Sequence, residues 1–168
     1  MAWLLDSDAF IQAKNLHYGF DFCPAFWDWM EKENRAERLY SIERVNSELL
    51  KGDEDELYLW AVKLGNGFFL PQRMIPDSSL RRVTAWVEEQ KANQRYEQSA
   101  VNEFLSVADF HLIAHALAEN HTVVTHEKSN NSKRMIQIPD VCFALEIDCV
   151  DPFEMLRSAK ARFVLGTT

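Results

Sequence analysis

The sequence predicts an α/β fold with a mainly parallel central sheet. Short apolar segments alternate along the chain with longer segments of helical periodicity, which is the order expected of β-α-β units. One apolar segment, TVVT, is rich in the β-branched residues that favour strands. Pro, Ser or Asp stands where several of the helical segments begin, as is typical of helix N-termini.

In the first half of the chain, this pattern predicts two strands and four helices. Ala2 to Leu5 is a short buried strand that ends at Asp6, and Phe68 to Leu70 is a second short strand. The predicted helices are Pro24 to Glu33, Ser41 to Leu50 with Ser41 as N-cap, Asp53 to Leu64, and Ser78 to Lys91 with Asp77 as cap.

In the second half, a long helical segment precedes two further β-α pairs. The helical segment runs from about Ser99 to Glu119, with a break expected near Val107. The remaining predicted elements are a strand from Thr122 to Thr125, a loop from Ser129 to Ser132, a helix from Pro139 to about Glu146, a strand from Ile147 to Val150, and a helix from Pro152 to Ala159.

Length and composition are those of a globular protein. A chain of 168 residues is long enough to bury a core, and we expect a single domain over residues 1–168. No apolar run approaches the roughly 20 residues that span a bilayer, and the N-terminus lacks the basic flank of a signal peptide. We therefore expect a cytoplasmic protein that makes no contact with a membrane.

The net charge and the cysteine content argue against several further classes of protein. The net charge of −8 argues against a surface that wraps nucleic acid all round, although carboxylates that bind a cation would contribute to that charge. The three cysteines form no CxxC pair, so buried reduced thiols are expected rather than a zinc ribbon or a disulfide framework.

Four acidic residues stand where an apolar run ends or a helix begins: Asp6, Glu48, Asp109 and Glu127. In parallel sheets, binding sites form beyond the carboxyl ends of the strands, and Asp6 and Glu127 both lie just past a predicted strand. Carboxylate oxygens are the ligands that Mg²⁺ and Mn²⁺ prefer. The pattern indicates a candidate metal site, provided that the four side chains converge.

Each candidate also has an ordinary structural interpretation. Asp6 can cap the helix that follows it, in which case Ser7 would hydrogen-bond to it, and Asp8 can be a residue of the first helical turn. Asp109 can stabilise a helix N-terminus. Helical rotation places Glu43 and Glu48 on the two flanks of one apolar stripe, so geometry alone does not decide between them.

Histidines and aromatic residues are further candidates with competing interpretations. His111 and His115 have the i, i+4 spacing of zinc-binding helices, but Leu112 replaces the expected glutamate and we expect them to be surface or packing residues. His126 can contact a phosphate or simply be solvated. The aromatic-rich segment with Phe20, Phe22, Phe26, Trp27 and Trp29 favours core packing over base stacking.

Four sequence blocks together resemble the PIN-domain ribonucleases, the group that includes VapC-like toxins. LLDSDAFI resembles the family's opening strand–Asp–helix block, and SIERVNSELLKG resembles the block that selects Glu48 over Glu43. ADFHLIAHALAENHTVVTHE resembles the block that places Asp109, Thr125 and Glu127, and CFALEIDCVDPFEML resembles the last strand and helix.

The resemblance implies a fold, an activity and partners. The implied fold is a three-layer α/β/α domain, with a helical elaboration around residues 60–98. The implied function is an Mg²⁺- or Mn²⁺-dependent endoribonuclease that hydrolyses RNA phosphodiester bonds, as the toxin of a type II toxin–antitoxin pair, with a cognate antitoxin and a homodimer expected. Asp6, Glu48, Asp109 and Glu127 would form the catalytic metal site. A PIN-like subgroup of unassigned function has a similar PDVC segment, in which Asp140 can join the site, but an acidic residue at a helix N-terminus is the preferred interpretation of Asp140.

Two departures leave alternatives open. Asp8 stands where the family often has Asn, and Glu127 stands where it usually has Asp. A catalytically silent PIN-like module that binds nucleic acid or protein is one alternative. A haloacid-dehalogenase-like phosphatase with Asp6 as nucleophile and Asp8 as acid/base is another, although the later lysine and paired acids of that family are not evident.

Overall fold

A computed structural model describes residues 1–165 of the chain and shows a five-stranded parallel sheet. The strands are β1 (Trp3–Leu5), β2 (Leu39–Ile42), β3 (Phe69–Leu70), β4 (Thr122–Val124) and β5 (Cys149–Val150). Their spatial order is β3-β2-β1-β4-β5, and every neighbouring pair is parallel. The predicted α/β class and parallel sheet are therefore confirmed.

Helices cover the sheet in a three-layer α/β/α arrangement. They are α1 (Ser7–Gln12), α2 (Pro24–Arg35), α3 (Glu43–Leu49), α4 (Glu56–Leu64), α5 (Asp77–Ala92), α6 (Gln98–Ser106), α7 (Ala108–Glu119), α8 (Ile138–Ala144) and α9 (Pro152–Ser158). A π-helical turn, Ala13–His17, follows α1, and short 3₁₀ turns occur at Gly65–Gly67 and Gln72–Met74. Within residues 1–165, no helix combines the length and apolar character needed to cross a membrane.

The core lies between the sheet and its helices. Leu4 of β1, Val123 of β4 and Ile113 of α7 are completely buried. One continuous hydrophobic cluster includes residues from Leu4 to Leu156, so the elaboration around residues 60–98 packs on the same core as the remainder. Residues 166–168, at the end of the predicted domain, lie outside the described residues.

Strand β2 is the one strand of the sheet, within residues 1–165, that the sequence pattern missed. Ser41 was expected to cap a helix, but it lies in β2, and its hydroxyl donates a hydrogen bond of 2.7 Å to the carbonyl of Leu5. The helix begins only at Glu43, with Ile42 at its N-cap position. Because the strand passes into the helix without an intervening loop, the two elements appear as one periodic segment in the sequence.

Most other boundaries agree with the prediction to within a few residues. The break expected near Val107 is present, because Val107 has an extended backbone between α6 and α7. Asp77 is the first residue of α5 rather than its cap, since Pro76 occupies the N-cap position. The helix predicted from Asp53 begins at Glu56, and Asp55 caps it through its side chain.

Candidate metal centre

The candidate centre lies where strands β1 and β4 end side by side. Leu5 and Val124 are paired in the parallel register, so Asp6 and Thr125 are the next residues of neighbouring strands. The backbone N–H of Asp6 continues the ladder with a hydrogen bond of 3.0 Å to the carbonyl of Val124. Strands β1 and β4 therefore each place one polar residue, Asp6 and Thr125, at the same edge of the sheet.

Asp6 is a buried carboxylate, with only 3% of its surface exposed. It caps α1, because its Oδ1 accepts a hydrogen bond of 2.7 Å from the N–H of Ser7. Its Oδ2 lies 3.2 Å from the Thr125 hydroxyl that donates to it. The helix-cap interpretation and the site interpretation are therefore compatible for this residue.

Burial and like charge together raise the pKa of Asp6 well above its usual value. Burial is the largest cause, because the charged form loses its hydration. The carboxylates of Asp8, Asp109 and Glu127 act in the same direction, and the hydrogen bond from Ser7 opposes them. Three acidic groups therefore lie close enough to Asp6 to disfavour its negative charge.

Asp8 is tied to the segment that follows β4. Its two carboxylate oxygens lie 3.1 and 2.9 Å from the backbone nitrogen of His126, which donates to them. Its Oδ2 also lies 3.1 Å from the hydroxyl of Thr125. Since a hydroxyl has one proton, Thr125 donates to Asp6 or to Asp8 at any moment, and in either case it bridges the two carboxylates.

Glu127 connects the centre to helix α8. Its backbone N–H donates a hydrogen bond of 3.1 Å to the Thr125 hydroxyl oxygen, and its Oε2 accepts one of 2.7 Å from the N–H of Ile138. Ile138 is the first residue of α8, so the carboxylate satisfies a free N–H of that helix terminus. Burial raises the pKa of Glu127, and the charges of Asp8 and Asp140 add to the increase.

Asp109 reaches the centre from the first turn of α7. Its pKa is raised from the ordinary value of 3.8 to about 7. Burial is the largest cause, followed by the charges of Glu127, Glu48 and Asp8. The electrostatic neighbourhood of Asp109 therefore includes acidic residues that come from three other segments of the chain.

A cleft of about 240 Å³ opens onto the carboxylates of Glu48, Asp109 and Glu127. The side chains of Phe104 and Ile136 form apolar parts of the wall of this cleft. Helix α3 presents Glu48 to this cleft, whereas Glu43 lines a neighbouring cleft that Glu48 also borders. The structure therefore places Glu48, and not Glu43, beside Asp109.

The acids of this group have no ion-pair partner among the described residues. Within residues 1–165, no ion pair involves Asp6, Asp8, Glu48, Asp109 or Glu127. Within residues 1–165, no group of three or more His, Cys, Asp or Glu side chains is placed so that it could hold a metal ion. The acids thus share one electrostatic neighbourhood without a preformed set of ligands.

The other candidate residues have different environments. His111 and His115 are buried in α7, with 6% and 1% of their surfaces exposed, and burial lowers the pKa of both. They are packing residues rather than surface residues. Asp140 lies near Glu127, and its Oδ2 is buried without a hydrogen-bond partner among residues 1–165.

The aromatic segment divides between core and surface. Phe26 and Trp27 are 2% exposed, so the expected core packing applies to them, whereas Phe22 is 69% exposed. Two rings that the sequence did not indicate, those of His17 and Phe153, contact the ring of His126. Nothing in the local pattern marks them, because they meet only through the fold.

Comparison with known proteins places the chain in a family without assigning an activity. A family model described as Domain of unknown function (DUF4411) matches residues 3–163. Searches of curated proteins and of solved structures found no match.

Proposed function

The chain belongs to the DUF4411 family, and we propose that it is a metal-dependent endoribonuclease that hydrolyses RNA phosphodiester bonds. The observation that supports this proposal most is the burial of Asp6 among Asp8, Asp109 and Glu127. Uncompensated buried charge is costly, and proteins keep it mainly where it is paired or coordinates a metal. Perturbed carboxylates beside a cleft are also typical of functional sites.

The donor atoms suit a hard divalent cation. Carboxylate oxygens are ligands for Mg²⁺ and Mn²⁺, and soft ligands are not required. Asp6, Glu48, Asp109 and Glu127 would hold the ion. Within residues 1–165 these side chains are not placed as a three-residue ligand group, so binding of the ion would require them to move together.

The remaining residues of the centre would position these carboxylates. Thr125 donates a hydrogen bond to Asp6 or Asp8 and accepts one from the backbone of Glu127, so it fixes three acids relative to one another. When bound, a divalent cation polarises a phosphoryl oxygen and lowers the pKa of water. The cleft beside Asp109 has room for the phosphate and apolar walls that limit access of bulk water.

We also propose that the protein is the toxin of a type II toxin–antitoxin pair. This proposal rests on the resemblance of the four sequence blocks to VapC-like toxins, as do the cognate antitoxin and the homodimer. Co-expression with the product of the neighbouring reading frame tests it, because an antitoxin should abolish growth arrest caused by the chain alone. Size-exclusion chromatography with light scattering tests the homodimer.

Cleavage of a labelled single-stranded RNA tests the proposed activity. We expect cleavage in Mg²⁺ or Mn²⁺, none in EDTA, and a loss of at least about 100-fold in Asp6→Asn, because the ion loses a charged ligand. Asp28→Asn, which changes an exposed carboxylate on α2, is the matched control and should cleave normally. An undiminished rate in a folded Asp6→Asn protein would refute the assignment.

A silent PIN-like binding module is the second candidate. It is suggested by the departures at Asp8 and Glu127 from the PIN pattern. The two candidates differ in their response to metal, because a ligand that binds only the native state raises the melting temperature. A melting temperature that Mg²⁺ and Mn²⁺ leave unchanged supports the silent module.

The phosphatase alternative has less support from the geometry. A nucleophilic Asp6 must reach a phosphorus atom, yet only 3% of its surface is exposed, its Oδ1 accepts the N–H of Ser7, and its Oδ2 lies 3.2 Å from the Thr125 hydroxyl. Formation of an acyl-phosphate on Asp6 during turnover is the measurement that distinguishes this alternative from the ribonuclease.

A further inference from the structure

Three partly exposed rings lie together around His126, the residue that precedes Glu127 in the chain. The ring centroids of His17 and Phe153 are 5.1 Å apart, and that of His126 lies 5.8 Å from each of them. All three side chains are half-buried. We refer to His17, His126 and Phe153 together as the ring surface.

The ring surface is directly connected to the candidate metal centre. The backbone N–H of His126 donates to both carboxylate oxygens of Asp8, at 2.9 and 3.1 Å. His126 also stands between Thr125 and Glu127 in the chain. The position of its ring is therefore set by the same hydrogen bonds that position the acids.

A π-helical turn places His17 in this surface. The turn spans Ala13–His17, and the N–H of Tyr18 bonds to the carbonyl of Ala13 at 2.6 Å. Such turns are rare, have poorer hydrogen-bond geometry than an α-helix, and occur frequently at functional sites. Here the wider turn follows α1 and leaves the ring of His17 against Phe153 and His126.

Phe153 does not belong to the hydrophobic core of the described residues. Phe153 is absent from the core cluster and from the half-buried residues packed against it, within the part of the chain that the structure describes. None of the three ring pairs is stacked face to face, since their interplanar angles are 34°, 78° and 69°. The three rings therefore do not cover one another's faces by parallel stacking.

A groove of about 220 Å³ continues from the ring surface. Phe153 borders it together with Tyr18, Phe163 and the exposed Arg157. The positive charge of Arg157 is near enough to Tyr18 to oppose the rise in the tyrosine's pKa that burial causes. Aromatic rings and an arginine along one groove are the combination with which proteins bind the bases and the phosphates of a single strand.

We propose that the ring surface stacks the unpaired bases of a single-stranded RNA whose phosphodiester lies at the carboxylates. This inference rests on the proposed function and specifies its substrate as a single strand. Every base has a π-face, so stacking of this kind tolerates many sequences. In a duplex, the base faces are already stacked on each other and are not accessible to these rings.

Binding without cleavage tests the inference. A short single-stranded RNA with one 2-aminopurine is titrated with the protein in EDTA, and the fluorescence reports stacking of that base. We expect quenching with wild type and about tenfold or weaker binding in Phe153→Leu, which keeps an apolar side chain but removes the ring. His17→Leu is a second variant with the same expected result, and circular dichroism verifies that both are folded.

The controls separate ring stacking from general effects. Phe143→Leu removes a phenylalanine ring that is 89% exposed, and it should leave binding and quenching unchanged. The same RNA annealed to its complement should show no difference between wild type and Phe153→Leu. Equal binding of the single strand by wild type, Phe153→Leu and His17→Leu overturns the inference, as does the absence of measurable binding or quenching.

Failure of this inference is distinguishable from failure of the proposed function. Ring-dependent binding of RNA without cleavage in Mg²⁺ or Mn²⁺ supports the ring surface and contradicts the nuclease. Metal-dependent cleavage with binding that does not depend on Phe153 or His17 supports the nuclease and contradicts the ring surface.

Discussion

Replacing Asp109 by Asn should stabilise the metal-free protein, and the gain should increase with pH. The pKa of Asp109 is about 7 in the folded chain and its ordinary value is 3.8. Between these values the folded state binds more protons than the unfolded state, so stability falls as pH rises. The carboxyl contributes most favourably below pH 3.8, and that contribution is lost as pH passes through about 7.

The size of the expected difference in unfolding free energy follows from the size of the pKa change of Asp109. At about 1.4 kcal/mol for each pH unit, ionising Asp109 costs the fold about 4 kcal/mol at pH 8 and about 1.6 kcal/mol at pH 5. Asn carries no charge and has a similar size, so its own burial cost is the same at both pH values. The advantage of Asp109→Asn over wild type should therefore grow by about 2.5 kcal/mol between pH 5 and pH 8.

Urea unfolding in EDTA at the two pH values measures this difference, with Asp28→Asn as the control for an exposed carboxylate. Saturating Mg²⁺ should reverse the order at pH 8, because it stabilises wild type and not the variant. An advantage that is the same at pH 5 and pH 8 would show that Asp109 is not held among like charges, and would remove the electrostatic argument for the centre.

Three further substitutions test other parts of the structure. Thr125→Val removes the hydroxyl that bridges Asp6 and Asp8, so we expect RNA cleavage to fall about 10- to 100-fold, measured at saturating Mn²⁺. Ile113→Ala opens a cavity at a fully buried position and should cost about 2–5 kcal/mol in urea unfolding. Asp55→Ala removes the side-chain cap of α4 and should cost about 1 kcal/mol in the same assay.

Local sequence signals were sufficient to predict the strands that a polar residue or a loop separates from the next helix. The runs that end at Leu5 and Val124 are apolar, short and followed by a polar residue, and both are central strands. Strand β2 has only the four residues Leu39–Ile42 and continues directly into α3, so its period-2 pattern is too short to recognise. Its detection requires the sheet neighbours that the sequence alone does not provide.

The candidate site likewise contains some residues that the local sequence predicts and others whose positions depend on the whole fold. The positions of Asp6 and Glu127 just past apolar runs indicated their edge of the sheet, as the structure has it. The approach of Asp109 to Glu127, in contrast, depends on how α7 packs across the sheet, and sequence spacing left it undecided. His17 depends on a π-helical turn, which has no sequence signature in this chain.

The two departures from the PIN pattern have local structural explanations. Asp8 accepts the backbone N–H of His126 with both oxygens, and the longer side chain of Glu127 reaches the N–H of Ile138 at the start of α8. Both residues thus attach the segment after β4 to a neighbouring element while their charges remain near Asp109. Glu127 keeps a carboxylate where the family usually has Asp, and Asp8 adds one where the family often has Asn, so the departures alter how the segment is held without removing acidic charge from the centre. They are therefore weak support for a catalytically silent module, and the response to divalent metal is the more informative discriminator.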